Sequence, residues 1–165
     1  MSSSDRRTFL GLMAAAPLAA CGFTPAYGPS GPARGLAGQI GMDDPTDRNS
    51  FDLVGRLQER LGRSRAPRWK LGYSIDTNSV GLGITAANTI TRYNITGSVT
   101  YRLTDEASGQ TVTRGLVKNF TSYAASGTVI STAASERDAY ERLMRILADQ
   151  IVTDLIATSA NWAGA

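Results

Sequence analysis

Few side chains in this 165-residue chain could act as catalytic nucleophiles, general bases or metal ligands. The sequence contains no histidine and one cysteine, Cys21. Without histidine, neither a Ser-His-Asp nor a Cys-His catalytic arrangement can form, and zinc sites that need histidine are excluded. A single cysteine can supply neither an internal disulfide bond nor a cysteine cluster for a metal. The composition therefore favours a protein that is not an enzyme and that uses no cofactor or metal.

Acid–base chemistry would have to come from carboxylates. The candidates flank predicted turns and strand ends: Asp43, Asp44, Asp76, Asp105 and Glu106. Glycoside hydrolases hold two carboxylates across a cleft, but these five residues stand where solvated turn residues are expected. We interpret them as turn residues, and a carboxylate-based hydrolase is the enzymatic alternative.

A glycine motif at residues 81–86 reads G-x-G-x-x-A, the pattern of a dinucleotide-binding turn. Such a turn needs a helix directly after it, because the helix N-terminus holds the pyrophosphate. Residues 88–92 are instead rich in β-branched side chains and lead into a predicted strand. The motif therefore indicates a glycine-rich turn and not a nucleotide site.

Basic residues form two groups. The segment from Arg56 to Lys70 contains six basic residues and only one acidic residue, Glu59. The six are Arg56, Arg60, Arg63, Arg65, Arg68 and Lys70. The second group is predicted on strands and comprises Arg92, Arg102, Arg114 and Lys118. Each group forms either a solvated face or a surface for a polyanion or an acidic protein, since arginine binds two phosphate oxygens at once. The net charge of +3 is too small to indicate nucleic-acid binding.

Apolar periodicity predicts the elements that position these residues, in the order β-α-β-β-β-α. We expect a short strand within 35–41, a helix at 49–61 ending near Gly62, strands at 69–75, 93–103 and 111–123, and a helix at 132–157. Residues 76–91 either extend the second strand or form a loop. Two helices on one face of a mostly antiparallel four-stranded sheet give an α+β two-layer sandwich. The first strand can lie parallel to the second through a right-handed crossover.

The pairing register of the last two strands decides which basic residues share a surface. A slip of one residue between strands 93–103 and 111–123 would move Arg114 and Lys118 to the other face of the sheet. The periodicity alone allows either arrangement.

The first 21 residues have the order of an export signal. Arg6 and Arg7 precede an apolar segment at 9–20, which is too short to span a hydrocarbon core of ~30 Å and matches a signal-peptide core. The segment ends Leu18-Ala19-Ala20-Cys21, which resembles the bacterial lipobox, where the cysteine is lipidated and becomes the first mature residue. We therefore predict a cleaved signal peptide at 1–20, a lipid-anchored tether rich in proline and glycine at 21–34, and a single domain at 35–165.

The export route and destination follow from the residues around this segment. Arg6-Arg7-Thr8-Phe9-Leu10 fits either general export or the twin-arginine route, and both lead to the periplasm. Gly22, where a retained lipoprotein has aspartate, favours the outer membrane by analogy with lipoprotein sorting.

Three features of the mature chain resemble the lipopolysaccharide-assembly lipoprotein family LptE. The mature start, Cys21-Gly22-Phe23-Thr24-Pro25-Ala26-Tyr27, has the C-G-F-x-P-x-Y pattern common in that family. The predicted order of elements is the second feature. The third is the C-terminal run at 133–139, which leads into Arg142-Leu143 and then 147–151.

The resemblance implies a non-enzymatic, periplasm-facing outer-membrane lipoprotein. Such a protein inserts into the LptD β-barrel, plugs it, helps it assemble and contacts lipopolysaccharide in transit, so the implied partners are LptD and lipopolysaccharide. Of the functional residues, only the lipidated Cys21 transfers by position. The chemical candidates for binding lipid A phosphates are Arg92, Arg102, Arg114 and Lys118. The alternative is an accessory binding lipoprotein of another envelope machine, in barrel assembly or associated with peptidoglycan.

Overall fold

The computed structural model describes residues 28, 31, 33, 35–84 and 90–163. The predicted signal peptide and the lipidation site at Cys21 lie outside these residues, so both stay predictions, as do the segment boundaries. The described elements are β1 (Ile40–Met42), α1 (Arg48–Leu61), β2 (Trp69–Ile84), β3 (Ile90–Asp105), β4 (Thr111–Ala124), α2 (Val129–Thr158) and a 3-10 turn (Ser159–Asn161). This order confirms the predicted β-α-β-β-β-α sequence and the α+β class.

The four strands form one sheet in the order β1-β2-β3-β4. β1 is parallel to β2, with Ile40 opposite Trp69, and the other two pairs are antiparallel. Most of the segment at 76–91 extends strands, because β2 continues to Ile84 alongside the matching length of β3. The expected parallel first strand is confirmed, although it is only three residues long.

α1 is delimited by side-chain and backbone geometry that its sequence encodes. Its N-terminus has a capping box, in which the Ser50 amide donates to Asp47 Oδ1 at 2.7 Å and the Asp47 amide donates to Ser50 Oγ at 2.9 Å. The helix ends at Gly62, whose φ of 79° lies in a region that glycine adopts without steric cost. The predicted stop at Gly62 is confirmed.

The core lies between the helices and one face of the sheet. α2 contributes Leu143, Leu147, Ile151 and Leu155, which are fully buried against the inner side chains of β3 and β4. α1 lies beside α2 and adds Leu53, Leu57 and Leu61 to the same core. Burial of one such side chain contributes about 1.5–3 kcal/mol, so the helices remain on this face. The opposite face of the sheet carries no helix among the described residues.

Candidate functional site

The register between β3 and β4 brings the four predicted basic residues to one face of the sheet. Arg102 is opposite Arg114, Ser98 is opposite Lys118, and Arg92 is opposite Ala124. Successive side chains in a strand alternate between faces, and the neighbours of these residues, such as Val99 and Leu103, point into the core. We call the surface that lacks helices the open face. It is formed by the even-numbered residues of β2 (70–80), β3 (92–104) and β4 (114–124).

The arginine pair Arg102 and Arg114 is the most unusual feature of the open face. In an antiparallel pair, directly opposite Cβ atoms lie about 4.5–5.5 Å apart, and like charges there destabilise the sheet. Both side chains are exposed, and neither forms a salt bridge with another described residue. Together with Ser74 and Thr100 they line a shallow depression of about 400 Å³. An anion seated there would relieve the repulsion.

β4 alternates cationic and apolar side chains along the open face. The order is Arg114, Leu116, Lys118 and Phe120, with Leu116 52% and Phe120 65% exposed. Lys118 and Phe120 border a second depression of about 440 Å³, whose other walls include Thr96 and Ser98 on β3. The strand therefore offers positive charge and apolar surface side by side, which fits an anionic amphiphile.

Arg92 shares the open face but lies far from the arginine pair. Ten residues of β3 separate it from Arg102, which is about 33 Å at ~3.3 Å per residue. Lys118 is four residues from Arg114, or about 13 Å by the same measure. A single phosphate group can therefore contact Arg102 and Arg114 together, whereas Arg92 is too far away to bind the same group.

Two basic residues of α1, Arg56 and Arg60, form salt bridges with α2. Arg56 donates from Nε and Nη2 to the two oxygens of Asp149 on α2, both at 3.0 Å, and Arg60 Nη1 donates to Asp149 Oδ1 at 2.8 Å. The hydrogen bonds of Arg56 to Asp149, and a further one to Glu59, raise the pKa of Arg56. Both arginines thus have a partner within the protein, although Arg60 stays exposed to solvent. Sequence spacing gave no sign of Asp149, which lies 93 residues from Arg56.

Further basic residues of that group also have local partners. Arg63 Nε donates to Gln58 Oε1 at 3.2 Å, and Arg68 lies 4.7 Å from the centre of the Trp69 ring. Lys70 pairs with Asp43 at 3.1 Å, and this hydrogen bond raises the pKa of Lys70. Five of the six basic residues at 56–70 thus have a partner within the protein, which leaves Arg102 and Arg114 as the stronger candidates for anion binding.

Asp105, one of the candidate carboxylates, takes a structural position. Asp105 Oδ1 accepts hydrogen bonds from the amides of Ala107 and Ser108 at 3.0 and 2.8 Å, and the Ser108 bonds lower its pKa. Asp105 is therefore the turn residue predicted from sequence, since a general acid near neutral pH would need a raised pKa. The described residues include no group of three or more His, Cys, Asp or Glu that could hold a metal ion.

The described part of the glycine motif, residues 81–84, lies in a strand and not in the turn predicted from sequence. Gly81 and Gly83 belong to β2, which continues to Ile84, and β3 begins at Ile90. The helix required for a dinucleotide site is therefore not present in the described residues on either side, in agreement with the interpretation from sequence.

Comparison with known proteins gives the chain its family. The family model LptE, described as lipopolysaccharide-assembly, matches residues 39–155. The chain belongs to this family. The match begins at the residue before β1 and ends within the last turn of α2, so it covers the open face and both helices. LptE proteins are envelope lipoproteins of lipopolysaccharide assembly. No curated protein matches the chain.

Solved structures share the fold. A candidate lipoprotein from Caulobacter crescentus is 26% identical, with a TM-score of 0.67 over 81% of this chain and 98% of its own. Rare lipoprotein B from Shewanella oneidensis is 12% identical, with a TM-score of 0.58 over 74% and 96% of the two chains. A minor lipoprotein from Acinetobacter baumannii is 17% identical, with a TM-score of 0.56 over 74% and 94%. Within the described residues, no helix combines the length and the apolar character needed to cross a membrane.

Proposed function

We propose that the chain is an outer-membrane lipoprotein, anchored through Cys21 and facing the periplasm, that plugs the LptD β-barrel and helps it assemble. In this role the open face contacts lipopolysaccharide in transit. Family membership over residues 39–155 supports a role in lipopolysaccharide assembly, and the lipobox-like segment supports the lipid anchor at Cys21. No enzymatic step is part of the proposal.

The observation that carries the lipid contact is the opposed pair Arg102 and Arg114. Two guanidinium groups that form no salt bridge with a described residue present hydrogen-bond donors to one phosphate group, and charge-assisted bonds of this kind are the strong ones. The exposed Leu116 and Phe120 lie further along β4 and offer apolar surface to the acyl part of the same molecule. Lys118 stands between them.

Exposed apolar side chains elsewhere support docking against a protein wall. Phe51 on α1 is 66% exposed, and Val129 and Ile130 at the start of α2 are 87% and 84% exposed. Exposed apolar residues in soluble proteins are ordinary when scattered, but two adjacent ones at a helix start provide a contact point for a partner.

The lipid contact is tested with the double variant Arg102→Gln, Arg114→Gln. We expect affinity for lipopolysaccharide vesicles to fall about tenfold or more, since paired charge-assisted bonds are lost. The melting temperature should stay the same or rise, because the like-charge repulsion is removed. The matched control is Arg65→Gln, Arg137→Gln, which removes the same charge from exposed sites outside the open face. Equal loss of affinity in both double variants would show that the net charge matters and that the arginine pair does not.

The barrel contact is tested by isolating the tagged full-length protein from membranes in mild detergent. We expect LptD to be recovered with it in a stable, near-stoichiometric complex. Recovery of another barrel, or of peptidoglycan, without LptD would favour the alternative role in another envelope machine.

A further inference from the structure

β2 has a long outer edge with no neighbouring strand. β1 pairs only with Trp69, Lys70 and Leu71, whereas β2 continues to Ile84. From Gly72 onward, no described strand lies on that side of β2. Among the described residues, nothing pairs with this edge of the sheet over most of the length of β2.

The hydrogen bonds to β1 show which backbone groups face this edge. The Trp69 amide donates to Gln39 O at 3.1 Å, and Leu71 O accepts from the Asp43 amide at 3.1 Å. Since backbone groups in a strand alternate in direction, those of Tyr73, Ile75, Thr77 and Ser79 also point outward. The even-numbered residues point to β3, and Asn78 O indeed accepts from Thr96 Oγ1 on that strand at 3.3 Å. The described residues supply no hydrogen-bond partner for the four outward amides.

The other edge of the sheet is protected. On β4 the outward amide of Phe120 donates to Asn119 Oδ1 at 2.8 Å, and the outward Ser122 O accepts from Arg142 Nη2 at 3.4 Å. Charged residues on an edge strand also oppose pairing with another chain, and β4 carries two, Arg114 and Lys118. On β2 the corresponding stretch, 72–82, has only Asp76. The two edges thus differ, and within the part of the chain that the structure describes only the β2 edge is left open to pairing.

An acidic cluster flanks the start of the β2 edge. Tyr73 Oη donates to Asp43 O at 3.4 Å. Burial, followed by the charges of Asp43, Asp47 and Asp44, raises the pKa of Tyr73. Asp43 is paired with Lys70, while Asp44 and Asp47 form no salt bridge with a described residue. Three carboxylates and one lysine thus stand near this end of the edge, so an incoming strand would meet net negative charge there.

We propose that the β2 edge, at residues 73–79, binds an extended segment of a partner protein by strand addition. The end of that segment which lies beside Asp44 and Asp47 carries lysine or arginine. Backbone hydrogen bonds supply affinity in this mode of recognition, and the acidic cluster selects the partner by charge. The proposal does not depend on lipopolysaccharide binding, because it uses the outward backbone amides of β2 and not the side chains of the arginine pair, although Tyr73 also borders the depression that holds that pair.

The test uses the full-length protein in detergent and the synthetic peptide KTVTVTVTK as the probe. Amide hydrogen exchange is measured by NMR with and without the peptide. We expect exchange of the Tyr73, Ile75, Thr77 and Ser79 amides to slow at least about tenfold at saturation, because each would gain a ladder bond. The β4 amides should not change. The peptide ETVTVTVTE should bind several-fold more weakly, and the lysine peptide with all of its backbone amides N-methylated should not bind, because neither of its edges can then donate.

Two proline variants provide a matched check on the protein side. Thr77→Pro removes an outward amide, which proline can do on an edge strand, and we expect the fold to persist while peptide binding is lost. Asn78→Pro removes an amide that bonds to β3 and should lower the melting temperature strongly. The N-methylated peptide tests the same contact without altering the protein.

Several outcomes would overturn the proposal. One is unchanged exchange at residues 73–79 with any peptide, and another is equal binding of the lysine and glutamate peptides. A concentration-dependent dimer in sedimentation that Thr77→Pro abolishes would show that the edge receives a second copy of this chain instead of a partner.

Discussion

At the scale of single residues, charges in this protein fall into two classes: those that hold a defined hydrogen bond and those that form no salt bridge with a described residue. Asp47, Asp105 and Asp149 belong to the first class. Arg102 and Arg114 belong to the second and stand opposite each other. Two like charges placed opposite each other lower the stability of the sheet, so we attribute the arginine pair to function and not to folding.

The cap residue Asp47 gives a residue-scale prediction. Asp47→Ala should lower the free energy of unfolding by about 1 kcal/mol at pH 7, the usual cost of losing an N-cap. The Ser50 hydrogen bonds lower the pKa of Asp47, so its contribution is present above the unfolded pKa of about 3.9 and is lost as the pH falls through the lower folded value. Denaturant unfolding of both proteins from pH 7 to pH 2.5 measures this. A difference between them that stays constant over that range would contradict the assignment.

At the scale of elements, the helix pair is joined by charge as well as by the core. Asp149 on α2 receives three hydrogen bonds from two arginines on α1. This bidentate contact fixes the helices in register, whereas an ordinary exposed ion pair contributes little.

Asp149→Asn should therefore lower the melting temperature more than Glu141→Gln does. Glu141 makes one bond to Arg145 within α2, so its loss leaves the contact between helices unchanged. Thermal unfolding at low and high salt provides the measurement, and the gap between the two variants should narrow at high salt because screening weakens partly exposed pairs. Equal melting temperatures would mean that the core alone positions α1.

At the scale of the whole molecule, the proposed role requires that the folded domain be held at the membrane surface. Cys21 lies outside the described residues, and its lipidation is predicted from the Leu18-Ala19-Ala20-Cys21 segment. Each buried methylene of an acyl chain contributes ~0.8 kcal/mol to anchoring, so several chains on one cysteine would hold the protein on the bilayer.

Cys21→Ala should abolish acylation and leave unprocessed precursor. Metabolic labelling with palmitate and the electrophoretic mobility of the protein in cells check this, with Ser30→Ala in the tether as a control that should be labelled normally. Labelling of the Cys21→Ala protein at the normal level would overturn the lipobox assignment.

The sequence by itself determined the order and type of the elements, the family resemblance and the candidate anchor. Period-two alternation around Val99 and Leu103 and helical spacing around Leu143 and Leu147 are local properties, and the core face follows from them. The stop at Gly62 and the turn role of Asp105 were local as well. These signals were readable because each depends on residues a few positions apart.

Only the tertiary structure decided which charges meet. The register between β3 and β4 placed Arg114 opposite Arg102, and a slip of one residue would have preserved the alternation while separating them. The packing of α1 on α2 brought Arg56 to Asp149, and the shortness of β1 left the edge of β2 open. Contacts between distant segments depend on register and packing, which side-chain periodicity does not specify, so the paired and unpaired charges became distinguishable only in the folded chain.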